Sequence, residues 1–120
     1  MISIDDFKKV DITVGKILSA EKIPETDKLL KLSVDFGELQ PRQIISGISL
    51  YFPDCSILIG KKCVFVVNLE PRIIRGLESQ GMILALSTDP SSSEGLSEAR
   101  EAKFSLLHPN DEIPIGTRVK

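Results

Sequence analysis

The sequence predicts an all-β protein built on a five-stranded OB-fold barrel, with a short helix between strands 3 and 4 and a C-terminal β extension. Three observations lead there. Residues 10–48 hold three alternating apolar and polar runs separated by turn-forming residues, the spacing of a three-strand meander. Residues 53–60 then interrupt the strand series, with Pro53 early and Gly60 at the end, the punctuation of a short helix or helical turn. Two near-continuous apolar runs follow, over 62–68 and 80–87. Meander, helix and two further strands is the order of an OB barrel. A five-stranded SH3-like barrel competes on strand number, but the helix position and a coiled first strand favour the OB arrangement.

Each element has its own signal. Residues 4–9 have the make-up of one helical turn with an acidic start at Asp5 and Asp6. Ile4 and Phe7, three apart, can face the core together and plug an open end. In the first strand Val10, Ile12, Val14, Leu18 and Ala20 share one parity, and the pattern slips at Gly15-Lys16-Ile17. A glycine beside a phase slip predicts a bulge or sharp coil, which closure of a small barrel needs. Residues 23–27 turn the chain. Leu30, Leu32, Val34 and Phe36 then alternate against Lys31, Ser33 and Asp35, and residues 37–41 turn again into a third strand over 42–48. The runs at 62–68 and 80–87 need cover on both faces: the barrel interior on one, the C-terminal segment or another subunit on the other. Residues 89–95 read as a polar loop, 96–103 as a helical turn, 104–107 as a strand and 113–120 as extended chain. No repeat or linker is visible, so residues 1–120 form a single domain, with the barrel core at about 8–87 and the extension at about 88–120.

The chain carries 15 basic and 17 acidic side chains, a net charge of −2, so bulk charge does not hold a polyanion. Residues 1–87 balance 11 basic against 11 acidic side chains, and the deficit lies in 88–120, with 4 against 6. A polyanion site must therefore be a local patch. No apolar run reaches the roughly 18 residues of a membrane span, and the N-terminus has no basic-then-apolar leader. Cys55 and Cys63 lack C-x-x-C spacing and read as reduced thiols in or near the core. These features predict a cytoplasmic protein with no membrane partner. Nothing predicts catalysis: the single histidine, His108, precedes a proline in the acidic tail, and no serine or cysteine has an evident base. No cluster has metal-ligand spacing, and phosphate-loop and dinucleotide glycine patterns are absent, so neither metal nor cofactor is expected.

Binding is better supported. Residues 64–82 run from an apolar strand through Asn68-Leu69-Glu70-Pro71 to Arg72 and Arg75 on a turn, then through Ser79 into the next apolar run. That is a basic loop held by two buried strands, on a side of the barrel where OB folds bind. Lys31 points away from the interior, Arg42 opens the third strand and Lys16 sits at the first-strand kink; with the two loop arginines they form a candidate polyanion site. Aromatic residues choose among polyanions. Five Phe, one Tyr and no Trp, most on core parity, supply no stacking platform for single strands. Folded RNA, read through backbone and shape, fits better.

Several spacings extend this reading. Phe7-x-x-Val10-Asp11-Ile12-x-Val14-Gly15, Asp27-Lys28-Leu29-Leu30-Lys31-Leu32, Ser46-Gly47-Ile48, Leu58-Ile59-Gly60-Lys61 and Asn68-Leu69-x-Pro71-Arg72-x-x-Arg75-x-x-x-Ser79-x-Gly81-Met82 run nearly the whole chain. Together they resemble the tRNA-binding domain family, found at the C-terminus of many bacterial methionyl-tRNA synthetases and as a free-standing protein. The resemblance implies an OB-fold homodimer whose C-terminal segment helps form the dimer contact. It also implies structure-dependent, largely sequence-independent tRNA binding in translation and aminoacylation, with no catalysis. It makes Asn68, Pro71, Arg72, Arg75 and Ser79 the shapers and suppliers of the RNA-binding loop, with Lys31 and Arg42 on the adjoining face. Two positions depart from the family pattern: Ile73 stands where a basic residue is common, and Glu70 adds a negative charge beside Pro71. The related dimeric export chaperones are the alternative, using the same barrel to hold peptides.

Overall fold

One long strand organises the molecule, described over residues 1–88 and 103–120 of a computed structural model. In chain order the elements are a helical turn α1 (Ile4–Phe7), β1 (Ile12–Lys22), β2 (Leu30–Asp35), β3 (Arg42–Ser46), two 3-10 turns (Ser49–Tyr51 and Cys55–Leu58), β4 (Lys62–Val66), β5 (Arg72–Ile74), β6 (Leu77–Ser79), β7 (Met82–Ile83), β8 (Ala85–Ser87) and β9 (Phe104–Leu106). The first half of β1 pairs antiparallel with β4, from Ile12–Val66 to Lys16–Lys62. Its second half pairs antiparallel with β2, from Lys16–Asp35 to Lys22–Leu30. The strand passes from one neighbour to the other at Lys16 and has to bend there. Gly15 makes the bend possible, because a Cβ at that position would stand 2.6 Å from side-chain atoms of both Val34 and Phe36. The expected slip is therefore two events: this bend, and a register shift between Ile17 and Ser19 that turns Leu18 toward solvent.

The main sheet has the order β3-β2-β1-β4-β7, the curled five-stranded sheet of an OB barrel. Side chains complete the cylinder between β3 and the β6–β7 segment. The Gln80 amide donates to the Gln43 carbonyl at 2.8 Å, and the Gln43 amide donates to the Gln80 side-chain oxygen at 3.0 Å. The Ile45 amide donates to the Ser79 hydroxyl at 3.0 Å. Inside lie Ile17, Leu30, Leu32, Val34, Ile44, Leu58, Cys63 and Phe65, all fully buried. Phe65 meets Phe36 edge to face at 5.2 Å between ring centres. Leu58 reaches this core from the second 3-10 turn, which Asp54 caps by accepting the Ser56 amide at 3.1 Å. That turn occupies the place of the expected helix.

The C-terminal segment returns along β1. Gly116 donates to Val14 at 2.8 Å, Val14 to Thr117 at 2.9 Å and Val119 to Ile12 at 2.8 Å. The Lys62 ammonium pins the same segment from β4, donating to the Asp111 and Ile113 carbonyls at 3.0 and 2.7 Å.

Three expectations are corrected. The continuous strand over 80–87 is two: β7 pairs with β4, and the chain then leaves it so that β8 pairs with β9. The strand over 62–68 stops at Val66, because Val67 and Asn68 turn their hydrogen bonds to the Asp11 segment. The N-terminal turn does not plug the core: Ile4 is 65 % exposed and Phe7 38 %; Asp5 and Asp6 do stand in its first turn, and Ser3 caps it, its hydroxyl accepting the Asp6 amide. The polar loop and helical turn expected between 89 and 103 lie outside the described residues except for Lys103.

Candidate nucleic-acid interface

The basic loop is an ordered arm. Arg72–Ser79, Ile73–Glu78 and Ile74–Leu77 pair as a two-stranded hairpin, β5–β6, separate from the main sheet. Its two turn residues, Arg75 and Gly76, both have positive φ, 54° and 78°. A two-residue turn with both residues left-handed matches the twist of a hairpin, and Gly76 takes that conformation at little cost. Arg72 thus lies on a strand and only Arg75 on the turn, which corrects the expectation that both arginines sit on the turn. Both are exposed, and among the described residues neither has a carboxylate partner. The arm's one cross-strand carboxylate, Glu78, faces Ile73 on the opposite side of the hairpin from Arg72. Ile73 itself is 69 % exposed. Pro71 precedes β5 and is exposed; its ring fixes φ where the chain turns into the arm.

The other predicted residues divide into those that build the arm's base and those elsewhere. Asn68 accepts the Asp11 amide at 2.8 Å through its side-chain oxygen and donates to the Lys9 carbonyl at 2.7 Å, tying the start of the arm to the approach to β1. Ser79 is buried; its hydroxyl accepts from Ile45 and donates to the Gly81 carbonyl at 3.1 Å. Arg42 pairs with Val34 in the β2–β3 ladder, so it has the inward parity of Ile44, and its guanidinium lies 5.6 Å from the Phe36 ring centre. Lys31 pairs with Ile45 and has the outward parity. Arg42 and Lys31 thus differ in parity on neighbouring strands, although both line one open cleft. The Arg42 guanidinium donates to both Glu38 carboxylate oxygens at 2.8 Å, and from Nη1 to the Val67 carbonyl at 2.6 Å and the Gln80 carbonyl at 3.2 Å. This fork holds the Glu38 carboxyl below its usual range and raises Arg42 further, the hydrogen bond being the main cause for each.

Lys31 is half-buried and 3.3 Å from the Glu21 carboxylate. It lines an open cleft of about 410 Å³ beside the base of the arm, with Ser19, Ser33, Arg42, Gln43 and Gln80 also on its walls. Lys16 is exposed at the β1 bend. It lies four ladder positions from the Ile12–Val66 pair where the arm departs, about 13 Å along the strand.

Gln43 and Gln80 close the barrel under the arm, and residue reasoning did not single them out. Their one signal was a polar side chain at the edge of an apolar run. Three of the aromatic residues pack on one another: Tyr51 stacks on Phe104 at 4.0 Å, and Phe52 meets Phe104 edge-on at 5.7 Å. Cys63 is a buried unpaired thiol pushed up to about 11 by burial, far from the reactive thiolate range. His108 hydrogen-bonds the Lys62 carbonyl through Nδ1 at 3.0 Å. Among the described residues no group of three or more His, Cys, Asp or Glu could hold a metal ion. None of their helices is long and apolar enough to cross a membrane.

Comparison with known proteins bears on this arrangement. A family described as "Putative tRNA binding domain" matches residues 12–118. A methionine–tRNA ligase of Methanoregula boonei is 55 % identical over the whole chain, which covers 16 % of that protein. The chain spans about a sixth of the length of such curated relatives. Among solved structures, a MetRS related protein from Pyrococcus horikoshii superposes with a TM-score of 0.83 at 39 % identity, with 100 % of this chain and 98 % of that one covered. The chaperone CsaA from Bacillus anthracis superposes with a TM-score of 0.78 at 30 % identity, with 100 % and 99 % covered.

Proposed function

We propose that this chain, which belongs to the tRNA-binding domain family, binds folded tRNA through its cationic hairpin, reading phosphate backbone and shape rather than base sequence. It acts without catalysis, as an appended domain of a methionyl-tRNA synthetase or as a stand-alone protein, in the cytoplasm. The observation that carries this is the pair Arg72 and Arg75, exposed and free of carboxylate partners among the described residues, on a hairpin bolted to the barrel. Two guanidinium forks at fixed positions suit phosphate oxygens, and the aromatic side chains are spent on each other rather than offered to bases. Pro71 and Asn68 set the start of the arm, and Ser79 sets its end. Lys31 borders the cleft beside it, and Lys16 adds a more distant cation to the same outer surface.

The test is a filter-binding titration of bulk tRNA over a salt series. Affinity falls as salt rises, and Arg72→Ala and Arg75→Ala each weaken binding and lower the slope of log K against log salt by about one. Binding that ignores salt and both substitutions would sink this reading. The likeness to the chaperone CsaA motivates a second reading, in which the barrel holds peptide. That reading requires an unfolded polypeptide to bind with an affinity that survives both arginine substitutions.

A further inference from the structure

We propose that Arg42 is a positioning residue for the RNA site: it holds both feet of the arm and does not itself touch RNA. The inference rests on the reading that the arm binds RNA. The arm leaves the barrel after Val67 and rejoins it at Gln80. A single nitrogen of Arg42, Nη1, donates to the carbonyls of those two residues, at 2.6 and 3.2 Å. These are the last barrel residue before residues 68–79 and the first after them. Nε and Nη2 each donate to a Glu38 carboxylate oxygen at 2.8 Å, so four of the five N–H groups are committed, and the Phe36 ring lies beneath the guanidinium. Every nitrogen of the side chain is engaged. Its charge is matched by the Glu38 carboxylate, which leaves little of it for a phosphate.

The geometry explains why the arm needs such a device. β5 and β6 pair only with each other, not with the main sheet, and an isolated two-stranded hairpin is marginal in water. What joins it to the barrel is the Arg42 fork, the Gln43–Gln80 pairing, the Gln43 side-chain bond to the Glu78 carbonyl at 2.9 Å and the Ser79–Ile45 bond. Arg42 is the one member of this set that grips both ends. Its inward parity in β3 places it there, because it extends under the arm instead of over the outer face. With the feet fixed, Arg72 and Arg75 present their charge from a preorganised position, and less order has to be imposed when RNA binds.

Lysine separates positioning from contact. A lysine still serves a phosphate as a point charge, but its single nitrogen cannot reproduce the planar fork that meets two carbonyls from one nitrogen and both Glu38 oxygens from the other two. The experiment titrates bulk tRNA against the full chain and its Arg42→Lys, Arg42→Gln and Arg72→Ala variants. Amide hydrogen exchange of each RNA-free protein is followed in β1, β2 and the arm. If Arg42 positions the arm, Arg42→Lys weakens binding about tenfold, as much as Arg42→Gln does, and exchange rises in residues 72–80 while β1 and β2 stay protected. Arg42→Lys binding near the wild-type level with Arg42→Gln weak would show a direct phosphate contact and overturn the proposal. Unchanged exchange in the arm would overturn it too. Should Arg42→Gln lose protection throughout the barrel, Arg42→Lys alone decides, since it keeps the charge and the aliphatic stem. Arg72→Ala without effect on tRNA binding would overturn the arm as the RNA site, an outcome distinct from a failure confined to Arg42.

Discussion

Arg75 sits at a backbone φ of 54°, in the left-handed region where Gly and Asn are at ease and other side chains pay roughly 1 kcal/mol or more. The turn it opens is the kind for which Asn-Gly is the preferred pair. An arginine there is poor turn chemistry, and its exposed guanidinium offsets that only if something outside the chain uses it. Stability and binding should therefore move in opposite directions at this residue. Arg75→Asn raises unfolding stability by about 0.5–1 kcal/mol, read as a higher urea midpoint, and weakens tRNA binding in the titration above. A loss of both would show that the Arg75 side chain supports the hairpin rather than RNA. Ile73, next in line on the arm, is also exposed. Its aliphatic side chain adds no phosphate contact, so the arm's positive charge rests on Arg72 and Arg75, against Glu70 and Glu78.

At the scale of elements, β1 decides the shape of the barrel. It serves β4 with one half and β2 with the other, and the handover depends on the missing side chain at Gly15. Gly15→Ala drives a Cβ to 2.6 Å from side-chain atoms of both Val34 and Phe36. Both neighbours sit in the core and have little room to give. The expected cost is about 1–3 kcal/mol in a urea titration. Gly47→Ala is the control, since nothing lies within 4 Å of a Cβ there and no positive φ is involved. If the two alanines behave alike, close approach is not what Gly15 provides. The β5–β6 hairpin obeys a different logic: its own ladder is short, so its order comes from anchors on neighbouring elements rather than from its own pairing.

At the scale of the whole molecule, the outer surface of the last strands is unusually apolar. Met82 on β7, opposite Val66 at the end of β4, and Leu86 on β8, opposite Ser105 of β9, are 49 % and 62 % exposed. The C-terminal segment spends its hydrogen bonds on the β1 edge and on Lys62, and it leaves these two side chains uncovered. The homodimer implied by the family resemblance would cover them. The wild-type chain is expected to scatter light as a dimer at micromolar concentration, and Leu86→Glu as a monomer, because a charge is costly to bury at such a contact. A monomeric wild type would contradict this expectation. The dimer would place two arms on one particle, so tRNA affinity should fall with the loss of dimerisation even though Arg72 and Arg75 are untouched.

The sequence by itself determined the fold order, because hydrophobic alternation and turn residues are local signals: Leu30, Leu32, Val34 and Phe36 could line only one face. It also determined the place of the basic arm, since Arg72 and Arg75 fall between two apolar strands, and Gly15 as part of the place where the first strand bends. The spacing of Asn68, Pro71, Arg72, Arg75 and Ser79 carried the family. The tertiary structure alone decided which of these side chains are free. Parity along β3 puts Arg42 on the side of Ile44, but it could not show that the Val67 carbonyl or the Gln80 carbonyl comes within reach of one guanidinium nitrogen. Both depend on pairing between residues 25 and 38 positions apart in sequence. Composition likewise counts Lys31 and Lys62 as cations, but only the folded chain shows one beside Glu21 and the other binding the C-terminal segment. Charge is written in the sequence residue by residue, whereas its availability depends on neighbours that only long-range pairing supplies.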